Sequence, residues 1–167
     1  MFNFLKNVLL NQELKQTNSK RQFVEWATVK NICVVIPNET SFLNAVKTLA
    51  TESKKEVDAV VLHADKLSVN KEVYLSFNKK DLTWLGLPNA EAIKRLRAKN
   101  YDIVICGDIS GNFSLKALTL LIPAKCRLGS AELAYADAFE IAIAGETKDF
   151  GNFLKQALKY LMMIKAN

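Results

Sequence analysis

Tyr101-Asp102-Ile103-Val104-Ile105-Cys106-Gly107-Asp108-Ile109-Ser110-Gly111-Asn112, running on to Pro123, is the stretch that decides how this chain reads. A short apolar run ends in a loop of Gly, Asp, Ser and Asn. Leu115, Leu118, Leu121 and Ile122 then recur at helical spacing until Pro123 stops them. A strand that is apolar on both faces is one that helices cover from both sides. A capping loop between such a strand and an amphipathic helix is the repeating unit of a parallel α/β sheet.

The same unit recurs on either side. Ile32-Cys33-Val34-Val35-Ile36 is a continuous apolar run, ended by Pro37-Asn38-Glu39-Thr40 and followed by Phe42, Ala45, Val46, Leu49 and Ala50 on one helical face. Val57 to Leu62 reads as a second buried strand and Glu72 to Phe77 as a third. The linker from His63 to Lys71 is short for a crossover helix, so the direction of the 72–77 strand stays open. Lys79 to Pro88 is turn-rich, and Asn89 caps a helix with Ala92, Ile93 and Leu96. Cys126 to Gly129 reads as a brief strand, Phe139 to Ala144 as the last one, and Asp149 to Lys165 as the closing helix. The expected fold is α/β: a Rossmann-like three-layer sandwich with a mostly parallel sheet of about five or six strands.

Before this core, Phe2 to about Lys20 reads as a helix with Phe2, Leu5, Val8 and Leu9 near helical spacing. Lys6 and Asn7 interrupt its apolar stretch and no small-residue cleavage site follows, so it is expected to be a helical arm and not a signal peptide. The division is one domain over 1–167, with an arm at 1–26 and a core at 31–167. The arm, through Phe2, Leu5 and Leu9, is the expected contact to a protein partner, to a second copy in a homo-oligomer, or to a membrane surface.

The chain is 50% hydrophobic and 24% charged, which suits a globular protein and excludes a disordered one. Its net charge of +6 is scattered over Lys54-Lys55, Lys79-Lys80, Lys94 to Lys99 and Lys155 to Lys165. Scatter of this kind marks solvated faces, so a nucleic-acid partner is not expected. Cys33, Cys106 and Cys126 each lie in or beside an apolar run and read as buried free thiols in the reducing cytoplasm. A lone histidine, His63, cannot form a two-histidine metal site, and nothing in the sequence calls for a metal or a cofactor.

Ligands of open parallel sheets sit beyond the carboxyl ends of the strands. Those ends supply Asn38, Glu39, Thr40, His63, Asp65, Asp108, Ser110, Asn112 and Gly145-Glu146-Thr147, with Glu39 and Asp108 readable either as bases or as solvated acids at helix N-termini. The candidate ligand-binding set is Asn38, Thr40, Asp65, Asp108, Ser110 and Asn112, and no catalytic residue is assigned. The Gly107–Asn112 loop could present backbone amides to an anion, although it is neither a Gly-x-Gly-x-x-Gly nor a Walker loop. Helix capping by Ser110 or Asn112 accounts for the same residues. His63 has no serine or cysteine near it in sequence to activate.

Lys80-Asp81-Leu82-Thr83-Trp84 with Gly86 and Pro88, Tyr101 to Ile105, Leu115-Lys116 and Ala124 to Gly129 resemble an uncharacterised family of small bacterial α/β proteins, a domain of unknown function. That resemblance implies a fold and a cytosolic setting but no activity. The Tyr101–Ile105 strand leading to Ala124-Lys125-Cys126-Arg127-Leu128-Gly129 is also similar to the N-terminal half of heptosyltransferase-type glycosyltransferases. Those enzymes carry a Gly-Asp loop after the first strand, where this chain has Pro37-Asn38-Glu39-Thr40, and a second domain for the sugar nucleotide. A non-catalytic binding or interaction module is the preferred expectation. The alternative is a small enzyme or binder for a phosphorylated or sugar-like compound.

Overall fold

The run Asn31–Pro37 forms strand β1, and its five central residues are buried because parallel strands flank it on both sides. A computed structural model describes residues 2–16, 21–145 and 149–164. Among them the other strands are β2 (Glu56–Leu62), β3 (Leu75–Phe77), β4 (Tyr101–Cys106), β5 (Ala124–Ser130) and β6 (Ile141–Ile143). The helices are α1 (Phe2–Gln16), α2 (Thr40–Ser53), α3 (Ala90–Leu96), α4 (Phe113–Leu121) and α5 (Phe150–Met163). The sheet order is β3-β2-β1-β4-β5-β6 and every pairing is parallel. This is the Rossmann order, in which the winding reverses between β1 and β4.

Strand alternation divides the core into two layers. Ile32, Val34 and Ile36 join Ile103, Ile105 and Leu128 under α2 and α5, where Phe42 stacks on Phe150 at 4.8 Å. Cys33, Val35 and Val104 face the other way, onto Ile93 of α3 and Leu115, Leu118 and Leu121 of α4. Helix α1 belongs to this second layer: Leu10 is 1% exposed within it, and Leu9 and Leu14 pack against it. The Arg97 guanidinium donates to the Glu13 carbonyl at 3.0 Å, and Lys116 Nζ donates to Asn7 Oδ1 at 3.0 Å. The arm is therefore seated on its own core through Leu9 and Leu10, while Phe2, Phe4 and Leu5 stay exposed.

The third strand is parallel, and it is shorter than its apolar run suggests. Glu72, Val73 and Tyr74 remain outside the ladder, because the crossing from β2 is made by a loop over 63–74 with no helix in it. Strand β5 is longer than expected and β6 shorter. A Cβ on Gly129 would lie 2.3 Å from the Phe139 ring, so the missing side chain makes room for Phe139 to fold over β5 and leave β6. The expected ends of the first and last helices at Lys20 and Lys165 lie outside the described residues. No helix among the described residues is long and apolar enough to cross a membrane.

Candidate functional site

The carboxyl ends of β1, β2 and β4 enclose a cleft of about 360 Å³ at the winding reversal. Phe42, Leu62 and Leu115 supply its apolar wall, and Glu39, His63, Asp108, Ser110 and Asn112 its polar groups. Among the described residues, no lysine or arginine lines it. Glu39 precedes α2 and makes no side-chain capping bond to it.

Asp108 is the buried acid of the site, 1% exposed. Its Oδ1 accepts the backbone N–H groups of Ser110 and Gly111, both at 3.0 Å, and its Oδ2 accepts the Tyr135 hydroxyl. Tyr135 also lies 3.5 Å from Cys106 Sγ. Burial first, then the neighbouring Cys106 and Asp108, push the Tyr135 hydroxyl far above its ordinary value, which keeps it a donor. A buried carboxylate without a cation needs such donors to offset its desolvation. The amides that could have cradled an anion are thus turned inward onto Asp108. Two further amides, Ser114 and Leu115, donate to Asn112 Oδ1, which makes Asn112 the cap of α4.

His63 is 4% exposed at the end of β2, and its Nε2 lies 2.9 Å from Ser76 Oγ on β3. The parallel pairing of β2 and β3 brings this serine to the histidine, a proximity that the linear sequence does not reveal. Ser76 Oγ also accepts the Asn70 N–H at 3.0 Å, so the pair fastens the 63–74 loop to the sheet. Asp65 acts within the same loop. Its carboxylate accepts the Ser68 hydroxyl and the amides of Ser68 and Leu67 at 2.7 and 2.9 Å. Those bonds hold it at about 2, below the usual carboxylate range.

Of the six candidate residues, Asp108, Ser110 and Asn112 line the cleft. Asn38, Thr40 and Asp65 share the same edge but stand outside the lining; Asn38 ties β1 to β2 through its backbone N–H to the Leu62 carbonyl at 3.0 Å. The Gly145-Glu146-Thr147 end falls partly outside the described residues. Sequence reasoning missed Tyr135, which comes from the irregular segment before β6 and carries no periodic signal. It also missed Phe42 as a lining residue, whereas Glu39, read as a strand-end acid, does line the cleft. No group of three or more His, Cys, Asp or Glu side chains among the described residues is placed to hold a metal ion.

An all-parallel sheet in this order, with a cleft at its reversal, defines a Rossmann-like α/β protein. Within that class the chain belongs to the family of unknown function DUF6913, whose model matches residues 3–164. No curated protein and no solved structure matches it.

Proposed function

We propose that this chain is a non-catalytic binding module that seats a small, uncharged, hydroxylated molecule in the cleft at the winding reversal. The observation that carries the reading is the bonding of Asp108. It accepts the Ser110 and Gly111 amides and the Tyr135 hydroxyl, so its carboxylate holds the loop after β4. The lining mixes donors and acceptors (His63, Ser110, Asn112, Glu39) beside an apolar wall, as a sugar-like ligand needs. A phosphorylated ligand would meet two carboxylates and no cation, which argues against that branch. Three buried free thiols support a reducing, cytoplasmic setting.

A thermal-shift screen of uncharged sugars, polyols and nucleosides tests the reading. A cognate ligand at a hundredfold excess over its Kd should raise Tm by roughly 5 °C. Ser110→Trp, which fills the cleft from an exposed loop position, should abolish that rise. No response across the screen, or a response that survives Ser110→Trp, contradicts the proposal. Turnover of a bound compound would make the protein an enzyme instead.

A further inference from the structure

Helix α1 carries more apolar side chains than its core contact uses. Leu9, Leu10 and Leu14 face the core, while Phe2, Phe4 and Leu5 crowd the first turn with Phe4 at 76% exposure. Trp84, 78% exposed, stands beside them with its ring 5.9 Å from that of Phe2 in an edge-on contact. Its projection is built into the fold. The Thr83 N–H donates to the Leu87 carbonyl at 2.6 Å and the Gly86 N–H to the Thr83 carbonyl at 2.9 Å. Gly86 takes the left-handed φ of +84° that this tight turn requires. Ser114 Oγ then bonds the Gly86 carbonyl at 2.8 Å, pinning the turn to α4, while Leu85 and Leu87 are buried beneath it.

Residues 2–12, 82–89 and 109–123 contain Lys6 and Lys116 and no carboxylate. The acids that border them are engaged elsewhere: Glu13 pairs with Arg97, Asp81 with Arg95, and Asp108 is buried against Tyr135. Lys6 and Lys116 both sit over the Phe113 ring, at 5.2 and 5.8 Å, with their ammonium groups beside the aromatic cluster. Exposed Trp and Phe beside lysines, without an acid among them, is the chemistry of the bilayer interface. The rings enter the headgroup–acyl boundary and the ammonium groups reach lipid phosphates.

We infer that the tip formed by Phe2, Phe4, Leu5 and Trp84 docks on an anionic lipid membrane, with Lys6 and Lys116 meeting the headgroups. The inference stands on observations separate from the cleft, and either can fail without the other. A second copy of the chain would have to bring carboxylates to this patch, and the patch itself has none to offer.

Flotation of the full chain with phosphatidylcholine vesicles, with and without about one third phosphatidylserine, tests the inference. The chain should float with the anionic vesicles, and raised salt should release it. Trp84→Ser with Phe4→Ser should weaken binding at least about tenfold, and Lys6→Gln about fivefold. Circular dichroism should be unchanged, since all three side chains are partly or largely exposed. In a Trp26→Phe background, the Trp84 emission should shift to the blue on anionic vesicles only. Failure to float, equal binding to neutral vesicles, or binding unaffected by Trp84→Ser overturns the inference. So does a concentration-dependent dimer that Trp84→Ser dissociates, which would assign the patch to a second copy.

Discussion

The two edges of the sheet solve the same problem with different chemistry. At the amino edge, carboxylates are paired with cations, and Asp102 accepts the Lys30 and Asn31 amides as well. Asp58 accepts Lys99 Nζ at 2.7 Å and the Tyr101 hydroxyl at 2.6 Å, Asp102 faces Lys125 at 3.0 Å, and Glu140 is bridged by Arg21. At the carboxyl edge, Asp65 and Asp108 are held by backbone amides and hydroxyls, and Asn112 by amides alone. The donors at the carboxyl edge are local. Asn112 takes the first N–H groups of α4, which lack intrahelical partners, while Asp65 and Asp108 take amides of the loops that follow their own strands. These acids find donors without lysines, and no lysine or arginine among the described residues lines the cleft. Two tyrosine–aspartate pairs make the contrast concrete: Asp58 of the Tyr101–Asp58 pair accepts a lysine ammonium directly, whereas at Tyr135–Asp108 the Lys116 ammonium lies over the Tyr135 ring, 5.2 Å from its centre, and the carboxylate takes amides and the hydroxyl.

Removing one carboxylate from each edge is the strongest way to break this comparison. Asp108→Ala strands two amides and a buried hydroxyl and should cost about 3 kcal/mol in urea unfolding. Asp58→Ala should cost about 2 kcal/mol, because Lys99 is partly exposed and can return to water. A larger loss at Asp58 would reverse the assignment of the tighter constraint.

Salt sharpens the contrast with smaller effects. Lys99→Gln should cost about 1 kcal/mol at low ionic strength and much less at about 1 M salt, where exposed ion pairs are screened. Asn112→Ala, the loss of the α4 cap, should also cost about 1 kcal/mol but should keep that cost at high salt. Equal salt dependence of the two variants would contradict the contrast.

The smallest effect lies on the acid limb. Asp65 is held at about 2 by the Ser68 hydroxyl and the Ser68 and Leu67 amides. For Asp102, burial works upward, but the Lys30 N–H, Lys125 and the Asn31 N–H outweigh it and lower the value. Both folded values lie below the unfolded one of about 3.9. The stability they add is therefore present above about pH 4 and lost as pH falls through their lowered values, about 2 for Asp65. Urea midpoints measured against pH should show a shallower acid slope in Asp65→Asn and in Asp102→Asn. Salt should erase the difference for Asp102, which leans on Lys125, more than for Asp65.

The sheet was legible wherever a strand is interior. Ile32–Ile36 and Tyr101–Cys106 are covered on both faces, so burial writes a continuous apolar run that no other element explains. Legibility failed at the two edge strands. β3 and β6 pair on one side only and last three residues each, so the apolar residues flanking them, Tyr74 and Phe139, serve packing and not the ladder. In the cleft, the loop after β4 could be read because strand ends and capping residues are local signals. Tyr135 and Ser76 could not, because the tertiary fold alone brings them to Asp108 and His63 across 27 and 13 residues. Asn38, Thr40 and Asp65 were placed at the correct edge. Whether a side chain there turns toward a ligand or toward its own loop depends on neighbours that the sequence does not order.

A matched pair of ligands tests the central claim, that the cleft at the winding reversal binds an uncharged hydroxylated molecule, most directly. Once a monosaccharide or nucleoside is found to bind, it and its phosphate ester would be titrated into the labelled chain and the backbone amide resonances followed. The uncharged compound should shift the resonances of 39–42 and 107–112, and its phosphate ester should bind at least about tenfold more weakly, because two carboxylates and no cation face it. Tighter binding of the ester, or shifts elsewhere on the molecule, would contradict the account.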